Sequence, residues 1–237
     1  KLNVDPGEDL LERMVAGVLP TVSFGDIQRL ALLMQALSKF DLEENQVFGD
    51  VLAKAQRMLG AAGAKSKARP WLVGVGQMLL PLVFDPHLHM EMKDKLLITA
   101  LQKIRQFHLS LGDDYDGLNE QLVRQLQICE LAMRIERPMA WIAAQEEGLG
   151  PWLNTIRQAK VEALDLAKAT SEQHQQVAGI LEYLRDHDLE VVIGPYITDI
   201  RVHRSRTLIE VDGPLHFINR DTQRYSATSR LKHRLLR

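Results

Sequence analysis

Three carboxylates near the C-terminal end stand where they could do chemistry: Asp199, then Glu210 and Asp212 within TLIEVDGPLHF. Glu210 and Asp212 are two residues apart, so on a strand both side chains leave the same face. If YITDIRVHR and RTLIEVDG form a hairpin turning at Arg204 and Ser205, His203 lies opposite Arg206, Arg201 opposite Leu208, and Asp199 opposite Glu210. Ile200, Val202, Thr207, Ile209 and Val211 then share an apolar face that sets the register. Asp199, Arg201, His203, Arg206, Glu210 and Asp212 share the other. Directly opposed Cβ atoms are about 5 Å apart, so Asp199 and Glu210 repel unless a positive group stands among them. A divalent ion meets that need, and so do Arg201, His203 or a helix N-terminus.

An acid on one strand and E-x-D or E-x-K on the next is the spacing of the PD-(D/E)xK nuclease core. There two carboxylates hold Mg²⁺ and a lysine helps to activate water. Asp212 occupies the lysine position here, followed by Gly213 and Pro214, which suit a turn closing the strand. Catalytic roles for Asp199, Glu210 and Asp212 therefore belong to one reading only, that of a Mg²⁺-dependent endoribonuclease. On the competing reading the acids pair with cations, and neither a metal nor another cofactor is called for.

Basic and aromatic residues surround this edge: Arg201, Arg206, His216, Arg220, Arg224, Tyr225, Arg230, Lys232, Arg234 and Arg237. Arg230, Arg234 and Arg237 recur at helical spacing, a geometry suited to phosphates along one backbone. His216 and Phe217 offer either a stacking surface for a base or packing under the last helix. The overall net charge of −2 conceals an asymmetry: residues 200–237 hold nine Lys/Arg against three acids, and the preceding 199 hold 20 against 28. A basic end on an acidic body points to a polyanionic partner for that end.

Other chemistry-bearing residues read as structure. His87 and His89 in DPHLHMEM lack a third ligand at useful spacing for zinc. LVGVGQM contains G-x-G without a preceding strand or a third glycine, which argues against a nucleotide loop. Trp71, Trp141 and Trp152 read as packing residues. Cys129 is the only cysteine, which excludes an internal disulfide and a cysteine metal cluster.

The elements that position these residues follow from periodicity. The 237-residue chain is 46% apolar, enough for a large globular core. WLVGVGQMLLPLVF is too short and too broken by Gly74, Gly76 and Pro81 to span a membrane. From residue 8 to about 187 apolar residues recur at three and four, as in the stripe Leu30, Leu33, Met34, Leu37 and Phe40, which Ser23 or Asp26 can cap. Further helices are predicted over 44–60, 90–110, 115–136, 152–169 and 172–187. Sliding the chain by 67 positions places Leu30, Met34, Leu37, Phe40 and Leu42 on Leu97, Leu101, Ile104, Phe107 and Leu109. Either a two-helix repeat or an irregular bundle accounts for that match. After His187 the alternation of β-branched residues predicts a small sheet, followed by a helix starting near Ser226 or Thr228. The expected architecture is thus α followed by α/β: a repeat-like helical array over 1–170 and a small α/β unit over 171–237. The chain begins with Lys1 and stops at Arg237 within a helical pattern, and is read as a piece of something longer.

IEVDGPLHF followed by RDTQRYSATSRLKHRLL resembles the RAP domain, over roughly residues 172–237. The resemblance implies a fold similar to very-short-patch repair endonucleases and a role in binding RNA in mitochondria or chloroplasts. RAP domains commonly follow helical repeats, which agrees with the order of parts. The wording of the final segment is similar to alveolate mitochondrial members, some of them incorporated into ribosomes. Ribosomal RNA, and ribosomal or RNA-processing proteins, are then the expected partners. The family's usual ending of a glycine turn, a strand and an aromatic-acidic pair is missing after Arg237. A scaffold whose acidic helices bind basic proteins is the remaining alternative.

Overall fold

The computed structural model describes residues 8–23, 26–40, 46–61, 69–110, 118–159, 172–182, 186–203, 205–218 and 224–237. The helices are α1 (Glu8–Val18), α2 (Ile27–Lys39), α3 (Gln46–Ala61), α4 (Arg69–Val83), α5 (Met90–Ser110), α6 (Glu120–Glu136), α7 (Pro138–Glu146), α8 (Gly150–Gln158) and α9 (Glu172–Glu182). Strands β1 (His187–Ile193), β2 (Tyr196–Val202) and β3 (Thr207–Ile209) follow, and α10 (Ala227–Leu235) closes the described chain. A mostly helical part thus precedes a small antiparallel sheet, as the periodicity predicts. Among the described residues no helix is long and apolar enough to cross a membrane.

The main helix contacts follow a simple rule. Successive helices α2, α4, α6 and α8 pack side by side, as do α1, α3, α5 and α7, and each of α2, α4 and α6 packs on its successor. This is two layers of helices built from successive pairs, each pair burying its stripe against the next. Leu30, Met34 and Leu37 on α2 are buried, as are Leu97, Leu101 and Ile104 on α5. The 67-residue offset is not the period, however. It superposes α2 on α5, which lie in different layers, whereas α2 to α4 starts 42 residues on and α3 to α5 starts 44 residues on. Leucine stripes look alike in both layers because both face one core. The 67-residue match also ends badly, since Leu109 is exposed; Leu42 lies outside the described residues.

Capping explains several boundaries. Asp26 accepts a hydrogen bond from the Arg29 amide at the start of α2, and Asn119 accepts one from the Leu122 amide at the start of α6. The helix expected over 115–136 therefore begins at Glu120, and α8 is described only to Gln158, so 160–169 of the expected fourth segment lie outside the described residues. The segment expected to stay helical to 187 has left the helix by His187, where β1 begins.

Two glycines of the LVGVGQM segment serve helix packing. A Cβ on Gly74 would stand 2.5 Å from Ile27 Cγ2 and 2.8 Å from the Gln28 backbone nitrogen on α2. One on Gly76 would stand 2.8 Å from Leu122 Cδ1 on α6. The G-x-G pair lets α4 approach its neighbours on both sides within the layer.

In the sheet, order β1-β2-β3, a two-residue turn at Gly194 and Pro195 joins the paired Ile193 and Tyr196. Gly194 has φ +57, and proline cannot follow it into positive φ, so the turn is of the II′ kind. The β2–β3 register is the expected one: Ile200 opposite Ile209, Arg201 opposite Leu208, Val202 opposite Thr207. The expected ends of the ladder differ. The last pair is Val202 with Thr207, Arg206 has φ +51, and His203 instead donates its amide to the Asp186 carbonyl. Ile200 and Val202 are buried as expected, while Thr207 is exposed. Tyr196, Ala227, Leu231 and Leu235 belong to the same continuous apolar cluster as the helical layers, so the sheet and α10 dock on the helices directly.

Candidate nucleic-acid interface

The strand ladder stops at Ile209, one residue before the expected Asp199–Glu210 pair. Beyond it the chain continues without regular secondary structure through Glu210, Val211 and Asp212, and Asp199 holds this segment by accepting a 2.6 Å hydrogen bond from the Val211 amide. A short 3₁₀ turn over Pro214–His216 follows, and Phe217 bridges to Tyr225 just before α10. Ser226 caps α10 by accepting from the Ser229 amide, one of the two starts anticipated. The cap aims the first two turns of α10 back across the acids.

Lys232 consequently donates a hydrogen bond to Glu210 Oε2, and both side chains are largely buried. Burial pushes the Glu210 carboxyl above its ordinary range, against the downward pull of Lys232. Asp212 stands 3.0 Å from His216 Nδ1 and 3.5 Å from His233 Nε2. Despite that 3.0 Å approach, Asp212 Oδ1 makes no well-directed hydrogen bond. Ser229 Oγ lies 3.2 Å from the same His216 nitrogen. A Ser–His–Asp relay needs hydroxyl and carboxylate on opposite ring nitrogens, so this trio is a clasp and not a nucleophile. Tyr225 stacks on Phe217 at 4.7 Å and meets His233 edge-on. Its phenol is pushed upward by burial and then by Asp212.

The groups that meet the acids therefore come from α10 and the turn before it, with Lys232 the cation among them. Arg201, expected to neutralise them, is exposed on β2, opposite Asp188 on β1 and Leu208 on β3. Phe217 is buried, which decides between the two roles left open for it. Among the described residues no three His, Cys, Asp or Glu side chains are grouped to hold a metal ion. His87 is exposed, and the His89 ring packs 6.0 Å from Phe48.

The proposed phosphate row on α10 is divided. Arg234 grips Glu136 at the end of α6 with a 2.7 Å and a 3.2 Å bond and also donates to the Val83 carbonyl. It is a bridge between α10 and the helical layers. Arg230 donates to the Tyr225 carbonyl beside the cap. Arg206, Arg224 and Arg237 are exposed, with Arg201; Arg220 lies outside the described residues.

Sequence reasoning missed the Asp199–Val211 clasp, the Asp212–His233 contact and the Arg124 side chain, which donates 3.0 Å to the Pro195 carbonyl and pins the β1–β2 turn to α6. Ser229, Lys232 and His233 at positions i, i+3 and i+4 of one helix carried a signal for the second, since they share a face. No local signal marks Arg124. No family model, curated protein or solved structure matches the chain.

Proposed function

We propose that the protein binds structured RNA in an organelle, as a RAP-type module on a helical array, acting in mitochondrial RNA metabolism or within the mitochondrial ribosome. The observation that carries the reading is the division of charge at the C-terminal end. Glu210 is matched internally by Lys232, and Asp212 is turned in against His216 and His233, while Arg201, Arg206, Arg224 and Arg237 are exposed. With Glu210 and Asp212 turned inward, arginines that face water are left to attract phosphate, although Arg201 shares its part of the sheet with the exposed Asp188. The nuclease-like framework implied by the EVDGPLHF motif serves here as a scaffold, with α10 as its clamp.

Binding of the full chain to a structured RNA, followed by fluorescence anisotropy across a salt series, tests this. Arg201→Glu with Arg206→Glu is expected to weaken binding and flatten the logarithmic salt dependence, because each phosphate left without its arginine removes about 0.9 from the slope. An unchanged slope overturns the arginine surface. Mg²⁺-dependent cleavage lost on Glu210→Gln would replace the reading with the endoribonuclease, and protein co-purification surviving nuclease treatment with no RNA affinity would replace it with the scaffold.

A further inference from the structure

Arg230, Arg234 and Arg237 stand at i, i+4 and i+7 along α10 and its end, the row whose spacing suits phosphates on one backbone. Arg237 is exposed and Arg230 partly so, whereas the middle member is held. Arg234 Nε donates to Glu136 Oε1 at 2.7 Å and Nη2 donates to Glu136 Oε2 at 3.2 Å, with Nη2 also 3.3 Å from the Val83 carbonyl oxygen. Its side chain is nevertheless 27% exposed, and Nη1 makes no hydrogen bond with the described residues. A ligand therefore has access to this guanidinium from the solvent side while Glu136 holds the other.

Glu136 is the last residue of α6, where the partial negative charge of the helix end opposes a carboxylate. Its own helix does not favour an acid there, and among the described residues Arg234 is its hydrogen-bonding partner. Carboxylate and phosphate engage arginine through the same two parallel N–H···O bonds. Glu136 thus presents to Arg234 what a phosphate of an RNA backbone would present.

We propose that the Arg234–Glu136 pair is an autoinhibitory contact, in which Glu136 occupies the guanidinium fork in place of phosphate. Docking of α10 on the helical layers then withholds the middle arginine of the row. An RNA backbone passing Arg230 and Arg237 takes Arg234 over by displacing the carboxylate, one two-pronged anion for another. Throughout the exchange α10 stays anchored by Leu231 and Leu235, which are buried in the core it shares with the helices. The inference rests on the RNA reading of the C-terminal end and adds to it a device by which α6 limits how tightly that end holds RNA.

The test measures binding of a fluorescent RNA hairpin across a salt series to wild type, Glu136→Gln, Arg234→Ala and the double variant, each checked for folding by thermal melting. Glutamine keeps the size of Glu136 without its charge. Glu136→Gln is expected to bind about tenfold more tightly, with a logarithmic salt dependence steeper by about 0.9 for the one phosphate gained. Arg234→Ala removes one positive charge in either background, so its general effect on the field is the same in both. It is expected to lower affinity about tenfold more in Glu136→Gln than in wild type. Arg234→Gln takes its place if the alanine variants do not fold. Unchanged affinity and slope in Glu136→Gln, or a gain that Arg234→Ala reduces no more than it reduces wild-type binding, overturns autoinhibition and leaves the arginine surface standing. Failure of both wild type and Glu136→Gln to bind the hairpin removes both.

Discussion

Lys232, on the second turn of α10, donates a hydrogen bond to Glu210, 22 residues earlier at the end of the sheet. A lysine that the E-x-D spacing lacks is thereby delivered to the acid from a helix. In this structure it serves to neutralise the carboxylate, whose side chain is only 12% exposed, and to hold α10 over the segment that follows β3.

Removing that cation leaves a largely buried carboxylate unmatched. Lys232→Met is expected to destabilise the chain by about 3 kcal/mol in urea denaturation, at the lower end of the cost of breaking a buried pair. Glu210→Gln in the same chain should recover much of the loss, because burying an amide costs far less than burying a charge. Equal stability of the single and double variants would refute the clasp.

Arg234 and Glu136 join α10 to α6 with two parallel hydrogen bonds, across 98 residues of sequence. Arg234→Ala should cost about 2 kcal/mol, as for hydrogen bonds between charged groups. Arg234→Lys should rescue little, since an ammonium cannot form the fork. Faster amide exchange in α10 and β2, with α2 and α3 unaffected, is the expected readout.

The α4 glycines separate backbone from side-chain contact. Gly74→Ala drives a methyl group into the Gln28 backbone of α2 and should destabilise by about 2–3 kcal/mol, as overpacking does. Gly76→Ala meets the flexible end of Leu122 and should cost less. Gly17, on α1, has nothing within 4 Å, so Gly17→Ala should stabilise by up to about 1 kcal/mol through helix propensity. Melting temperatures in the order Gly17→Ala, wild type, Gly76→Ala, Gly74→Ala confirm the assignment.

Trp152 Nε1 donates to His108 Nδ1 at 3.0 Å, which fixes a neutral ring with its proton on Nε2. Burial holds the His108 pKa below its ordinary 6.5. The unfolded chain then binds the proton more readily, so this contribution to stability is complete above pH 6.5 and declines as pH falls towards the folded value. Urea midpoints for wild type and His108→Gln should therefore converge as pH is lowered below 6.5, and parallel curves would show that His108 does not titrate there.

Much of the fold is legible in local pattern. The three-and-four recurrence locates α2, α3, α5 and α6 closely, because each stripe has to be buried whatever it meets. The period-two run of Ile200, Val202 and Ile209 sets the β2–β3 register, because a one-residue slip would turn every apolar side chain to water. The LVGVGQM glycines were legible only as a negative, the lack of a phosphate loop; their contact with α2 and α6 follows from packing.

What the sequence by itself determined is therefore the type of each element, the face it buries, and the presence of acids and cations at one end of the chain. Tertiary structure alone decided which cation meets which acid. Lys232 and Arg234 stand two residues apart on one helix with the same composition around them, yet one turns to Glu210 in the sheet and the other to Glu136 in the helical layers. Positions two apart on a helix point about 200° from each other, and only the docking of α10 against α6 places an acid on each side. The same docking separates the arginines that face water from Arg234, which holds the protein together.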